Sequence, residues 1–204
     1  LLTTRYVRLS PTGRYQLTLK TCEVGAAVVQ GTDINQVVRQ YMLKAFHECN
    51  ETMHCGVLSG RKVLYIDKIE STRSIRMASH VGIRMPLHAT AMGKAFLAAM
   101  GEKDARKLLD AEPLEKLTPN TITDVDALIR QLEEIRRRGW ALEDEENTEN
   151  VCCVGVAVLD RDAAPAYALS ISVPSFRMSG DVQERYGELL LTAKRRIERV
   201  LRAL

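Results

Sequence analysis

The chain has 204 residues, 46% of them apolar, enough for one sizeable core and a small appendage. Its 29 basic and 26 acidic residues leave a net charge of +3, too balanced for a polycation that requires nucleic acid as partner. No apolar run has the length of a membrane span and the start has no signal-peptide pattern, while five cysteines without CxxC spacing point to reduced thiols, so the expected setting is cytoplasmic.

The start Leu1-Leu2-Thr3-Thr4-Arg5 reads as a chain entered partway through a domain. Residues 4–19 alternate around the turn sequence Ser10-Pro11-Thr12-Gly13, which predicts a two-stranded hairpin with Arg5, Arg8 and Arg14 on it. An isolated hairpin is marginal in water, so it belongs to a larger domain. A connector helix is expected from Leu19 to about Val29, ending near Gly31. Asp33 is expected to cap a second helix, whose apolar positions Ile34, Val37, Val38, Tyr41, Ala45, Phe46 and Cys49 repeat at helical spacing. Residues 53–58 and 63–69 read as strands around Ser59-Gly60-Arg61, and residues 74–78 as a third extended piece.

Pro86-Leu87-His88-Ala89-Thr90-Ala91-Met92-Gly93-Lys94 reads as a helix start, with Thr90 as N-cap and Ala95, Leu97, Ala98 and Ala99 propagating it. The amides of Ala91, Met92 and Gly93 lack intrahelical acceptors, no acid stands between Thr90 and Glu102, and Lys94 adds positive charge. Small side chains at Ala91 and Gly93 leave the backbone open to an anion. The same residues also describe a close-packed Ala/Gly helix with an ordinary Thr cap.

A short charged helix around residues 103–109 and a loop from Pro113 to Pro119 follow. Thr123-Asp124-Val125-Asp126 opens a helix in capping-box style with Leu128, Leu132 and Ile135 as its buried stripe. Arg136, Arg137 and Arg138 before Gly139 complement the helix dipole, a sufficient reading without a nucleic-acid patch. The four acids Glu143, Asp144, Glu145 and Glu146 read as a solvated loop or edge, unless one turns inward to accept a ligand's hydrogen bond.

In residues 151–158 the period of two puts Val154, Val156 and Val158 on one side and Cys153, Gly155 and Ala157 on the other. Residues 167–173 repeat this, with Ala168, Ser170 and Ser172 opposite Leu169, Ile171 and Val173. If the strands pair, their small faces make a concave wall suited to an oxygen-rich ligand; packing under a helix is the plain alternative. A last helix is expected from Ser179, with Tyr186, Leu189, Leu190, Ala193, Ile197, Val200 and Leu201 on one face. The sum is an α+β domain with helices packed on a mixed or antiparallel sheet.

No GxSxG, P-loop, HExxH or dinucleotide fingerprint occurs, and His47, His54, His80 and His88 are scattered. His54, Cys55 and Cys49 do not form a zinc array, so neither metal nor cofactor is expected. The alternative to a binding domain is an enzyme acting on a carboxylate substrate with Cys153 as nucleophile.

Three blocks carry a resemblance: residues 86–95, then Arg138-Gly139-Trp140-Ala141-Leu142 followed by acids, then Ala168-Leu169-Ser170-Ile171-Ser172-Val173-Pro174. In order and spacing they resemble the effector-binding domain of IclR-type bacterial transcriptional regulators. Residues 1–19 are similar to the wing hairpin that closes the family's winged helix-turn-helix, and Tyr15-Gln16-Leu17-Thr18-Leu19-Lys20 before Glu23-Val24-Gly25 to its join with a linker helix. The resemblance implies a wing over residues 1–19, a linker helix over 20–31 and a GAF-like, profilin-type sheet domain over 32–204.

It further implies a small carboxylate effector, a homodimer or homotetramer, and operator DNA bound through the N-terminal domain of a full-length protein. The recognition helix would lie upstream; Arg5, Arg8 and Arg14 would add weak contacts. The effector carboxylate would meet the amides of Ala91 and Met92, the hydroxyls of Ser170 and Ser172, and Cys153. Glu143 would face the ligand, with Met77 and Met85 on the apolar side. The chain departs from the family's frequent residues at Glu143 (Asp), Met92 (Gly or Ala), Asn150 (Gly) and Gly155 (Ala), which bears on the ligand that fits.

Overall fold

Ser10-Pro11-Thr12-Gly13 turns the chain back on itself in the computed structural model, which describes residues 1–30, 33–75 and 77–203. Two compact units result, Leu1–Val38 and Arg39–Leu204. In the first, β1 (Val7–Leu9) pairs antiparallel with β2 (Tyr15–Leu17), and α1 (Lys20–Gln30) follows. Thr18 Oγ1 donates to the Arg5 carbonyl (2.6 Å) and Lys20 Nζ to the Thr4 carbonyl (3.1 Å), tying the hairpin to the helix start. The expected end of this helix at Gly31 lies outside the described residues, as does Thr32. The next helix, α2 (Asp33–Cys49), begins at Asp33 itself.

The second unit is built on a six-stranded antiparallel sheet in the order β5-β4-β3-β8-β7-β6. Its strands are β3 (Thr52–Ser59), β4 (Lys62–Ile69), β5 (Arg84–Pro86), β6 (Ala141–Asp144), β7 (Val151–Leu159) and β8 (Pro165–Pro174). The third extended piece is therefore β5, not residues 74–78. There the chain loops around Lys68, whose ammonium donates to the carbonyls of Met77 (2.9 Å) and Ser79 (2.8 Å), so those groups are spent on a side chain instead of a ladder. Arg76 lies outside the described residues.

The register explains why the sheet has two unlike faces. Cys153 lies opposite Ser172, Gly155 opposite Ser170 and Ala157 opposite Ala168, so the small faces of β7 and β8 merge. Behind them Val154, Val156, Leu169 and Ile171 are fully buried. That bulky face carries α6 (Gly180–Leu201), which contacts β7 and β8 and buries Leu190, Ala193, Ile197 and Leu201, each large side chain contributing about 1.5–3 kcal/mol. Ser179 precedes α6 without a side-chain cap bond.

The small face carries α3 (Ala91–Ala99), backed by α4 (Glu102–Leu109) and α5 (Val125–Arg138). Phe96, Leu97, Leu128 and Leu132 are buried between them. The expected capping box on α5 reduces to one bond, Ala127 N–H to Asp124 Oδ1 (2.6 Å), and the helix closes on Gly139 at φ +87°. Arg138 stacks on Trp140 (4.0 Å) and Arg136 donates to the Ala98 carbonyl (2.9 Å), so two of the three arginines tie α5 to its neighbours. No described helix is long and apolar enough to cross a membrane.

Two glycines permit the close approach of α3. A Cβ on Gly155 would lie 2.8 Å from the Ala91 carbonyl carbon, and one on Gly93 would lie 2.3 Å from the Leu87 carbonyl oxygen. Backbone cannot yield as a side-chain tip can. Gly93→Ala is expected to cost about 1–3 kcal/mol as an overpacking substitution. Read as the midpoint of thermal unfolding followed by circular dichroism, this is a fall of several degrees; an unchanged midpoint would show that the contact is not tight.

Candidate functional site

Thr90 has extended backbone (φ −123°) and caps α3: its Oγ1 accepts from Gly93 N–H (3.1 Å) and donates to the Pro86 carbonyl (2.7 Å). Lys94 N–H reaches the Thr90 carbonyl at 2.9 Å. Among the described residues, the amides of Ala91 and Met92 are left without an acceptor. Gly93, expected to open the backbone to an anion, is instead packed on Leu87 with its amide spent on the cap.

These two amides sit over the merged small face. Glu143 is opposite Cys153 and Cys153 opposite Ser172, so three side chains on one face form a row across β6, β7 and β8, about 4.8 Å apart per strand. A cavity of about 230 Å³ lies above it. Ala91, Met92, Glu143, Cys153, Ser170, Ser172, Met77 and Met85 all line this cavity. Arg5, Arg8 and Arg14 are elsewhere, exposed on the hairpin unit.

Sequence reasoning missed His54, Tyr65, Ser79 and Thr148 in the same lining. The signal for His54 was the alternation Thr52, His54, Gly56 on β3, a small and polar face like those of β7 and β8. His54 is buried against Tyr65 (ring centroids 4.9 Å apart); its Nε2 is 2.7 Å from Ser79 Oγ and its Nδ1 3.4 Å from Ser172 Oγ. Desolvation, aided by the nearby Lys68 ammonium, pushes its pKa down to about 3, so the ring is neutral. The neutral ring holds one hydrogen: on Nε2 it donates to Ser79 while Nδ1 accepts from Ser172, and on Nδ1 it donates to Ser172 while Nε2 accepts from Ser79, the second arrangement leaving the Ser172 hydroxyl hydrogen free.

The acidic run is not a solvated loop. Glu143 is only 1% exposed and Glu146 4%, while Asp144 between them faces out. Glu143 Oε1 accepts from the amides of Glu146 (2.6 Å) and Asn147 (3.0 Å), and burial still pushes its pKa up to about 7. Lys94 does not add free positive charge at the helix start. It is fully buried and paired with Glu146 Oε1 at 2.5 Å. Burial lowers its pKa, and Glu146 opposes that shift.

Cys153 donates to Ser172 Oγ (3.2 Å), and burial next to Glu143 raises its pKa well above the usual thiol value. It stays a thiol, which removes the activated nucleophile that an enzyme reading requires. His88 is a structural group, with Nε2 2.9 Å from the Glu115 carbonyl. Among the described residues, Asp144, Glu145 and Cys152 are the acids and thiol gathered at metal-binding separation, and Cys152 already donates to Asp144 (3.0 Å).

An antiparallel sheet with helices on both faces, enclosing a small polar-ended cavity beneath one helix start, defines an α+β pocket domain. Residues 26–199 match the family described as bacterial transcriptional regulator IclR C-terminal. The HTH-type transcriptional regulator KdgR of Escherichia coli is 35% identical over 184 residues, covering 90% of this chain and 70% of that protein. The crystal structure of the Thermotoga maritima IclR superposes with a TM-score of 0.87 at 33% identity, over 99% of this chain and 82% of that one. An IclR homologue from Microbacterium hydrocarbonoxydans, solved with 4-hydroxybenzoate, shares the fold with a TM-score of 0.81 at 23% identity, over 100% of this chain and 82% of that one. The chain belongs to the IclR family of bacterial transcriptional regulators and carries its C-terminal effector domain.

The buried pair makes a direct prediction. Lys94→Met alone leaves Glu146 buried and unpaired and is expected to cost about 3–5 kcal/mol in urea unfolding. Lys94→Met with Glu146→Gln should recover part of that loss, and a double loss equal to the sum of the Lys94→Met and Glu146→Gln losses would show that the two side chains act independently.

Proposed function

We propose that this chain is the ligand-sensing part of a DNA-binding regulator, and that its cavity binds a small carboxylate metabolite. On this reading residues 1–19 are the wing of a winged helix-turn-helix, 20–31 a linker helix and 32–204 the effector-binding domain of a cytoplasmic homodimer or homotetramer. The observation that carries it is the unspent Ala91 and Met92 amides above the Cys153, Ser170 and Ser172 side chains. Helix N-terminal amides and hydroxyls are donors to carboxylate oxygens, and such bonds are stronger than neutral ones. A cavity of about 230 Å³ is below the usual range of roughly 300–1,000 Å³, so it suits a small metabolite better than a nucleotide.

Met77, Met85 and Met92 supply an adaptable apolar wall for the rest of the molecule. The 4-hydroxybenzoate in the Microbacterium homologue is a carboxylate of comparable size, which supports the class and not the identity. Signalling requires that the ligand bind one arrangement of the oligomer better than another; the population then shifts, and with it the spacing of the DNA-binding parts on an operator. A ligand equally at home in both changes nothing.

The test is a thermal-shift screen of small carboxylates followed by titration of the best one. Ser170→Ala with Ser172→Ala should abolish the shift while the fold is kept, each lost charge-assisted bond costing about 1.5–3 kcal/mol of binding. Met92→Asp should weaken binding more, because it sets a negative charge beside the proposed site and leaves the helix dipole satisfied. Parental binding by both variants would place the carboxylate elsewhere.

A further inference from the structure

We propose that the pocket takes up a carboxylate ligand together with one proton, which Glu143 Oε2 holds and donates toward the ligand. The inference rests on the carboxylate reading above, and it adds a coupling between effector affinity and pH. The geometry starts with the row Glu143, Cys153, Ser172 on one face of three adjacent strands. A carboxylate over Cys153 and Ser172 lies about one strand spacing, roughly 4.8 Å, from Glu143. Two carboxylates that close in a buried site do not both ionise; they share a proton.

The position of that proton follows from the hydrogen bonds. Oε1 of Glu143 accepts two backbone amides, from Glu146 and Asn147, so its lone pairs are committed and Oε2 carries the hydrogen. The groups facing this carboxyl come from several elements: Lys94 from α3, Cys152 and Cys153 from β7, Tyr65 from β4, and Glu146 from its own loop. Lys94 is the cation among them and is balanced by Glu146 at 2.5 Å. With Glu143 protonated, the enclosed set of Lys94, Glu146, Glu143 and a monocarboxylate carries one negative charge; with Glu143 ionised it carries two. His54 stays neutral across the physiological range and offers no compensation.

The sign is then fixed. In the free protein burial already raises the Glu143 carboxyl to about 7, and a bound anion raises it further. Affinity is therefore full below that value and falls as pH rises through it, by up to about tenfold per unit for one linked proton.

The experiment uses the whole chain with 4-hydroxybenzoate and lactate as probes and 4-hydroxybenzamide as the uncharged control, titrated by calorimetry from pH 6 to 8.5 in buffers of different ionisation enthalpy. The expected result is proton uptake near zero at pH 6 and approaching one at pH 8.5, with Kd rising over the upper part of the range. Glu143→Gln, which keeps shape and removes charge, should bind the acids with a flat Kd and no uptake, with an unfolding midpoint at or above the parental one over this pH range. Binding of the acids with no proton exchange, or a Gln variant that keeps the parental slope, overturns the proton coupling and leaves the carboxylate site standing. Failure of both acids to bind either protein at any pH overturns the carboxylate site and the coupling with it.

Discussion

The site depends on one buried contact, the Lys94 ammonium on Glu146. Lys94 lies on the inner side of α3, fully buried, one turn beyond the two unspent amides. Burying such a charge is tolerable only with a partner, and Glu146 comes from the β6–β7 connection to supply it. Once Glu146 is held, its N–H meets Glu143 and its carbonyl accepts the hydroxyls of Thr121 (2.6 Å) and Thr118 (3.3 Å). One ion pair thus joins α3, the segment before α5 and the carboxyl facing the cavity. Its value is positional, since buried pairs contribute little net stability over apolar replacements.

The second constraint is distance. For two backbone amides to address the side chains of β7 and β8, the helix must lie almost on the strands, and Gly155 beneath Ala91 allows that. A Cβ at Gly155 would push the helix start outward. Glycine brings α3 down while the Met92 side chain extends over Gly56 of β3. Both residues act on the room left beneath the helix start. Asn150 sits at φ +64°, the left-handed region that glycine and asparagine enter most easily.

Periodicity made much of this legible. The alternation of Cys153, Gly155 and Ala157 with valines, repeated by Ala168, Ser170 and Ser172, specified a hollow face, and the register joined the two halves in phase. Thr90 as cap was a local signal and held as a local bond. What stayed hidden was long-range. Lys94 looked like surface charge because nothing within one helix reveals a partner 52 positions away. The run Glu143 to Glu146 looked solvated because composition does not show that β6 turns Glu143 inward and that the connection after it buries Glu146. Residues 74–78 looked extended but, among the described residues, form no strand, because the Lys68 side chain, not a neighbouring strand, holds the carbonyls of Met77 and Ser79.

The distribution of charge around the cavity bears on how such a site would discriminate. Among the described residues its lining contains no lysine or arginine, and the buried Lys94 is neutralised by its own partner. A carboxylate held there is held by dipoles: two amides, two hydroxyls and a thiol. Dipoles are directional and short-ranged, so they discriminate by where an oxygen falls rather than by net charge, and they give up less in affinity when salt concentration changes. An arginine in their place would bind many anions more tightly and distinguish them poorly. A regulator that must report one metabolite among many similar acids gains from the weaker and more exacting arrangement, because population shift needs only a difference in affinity between states.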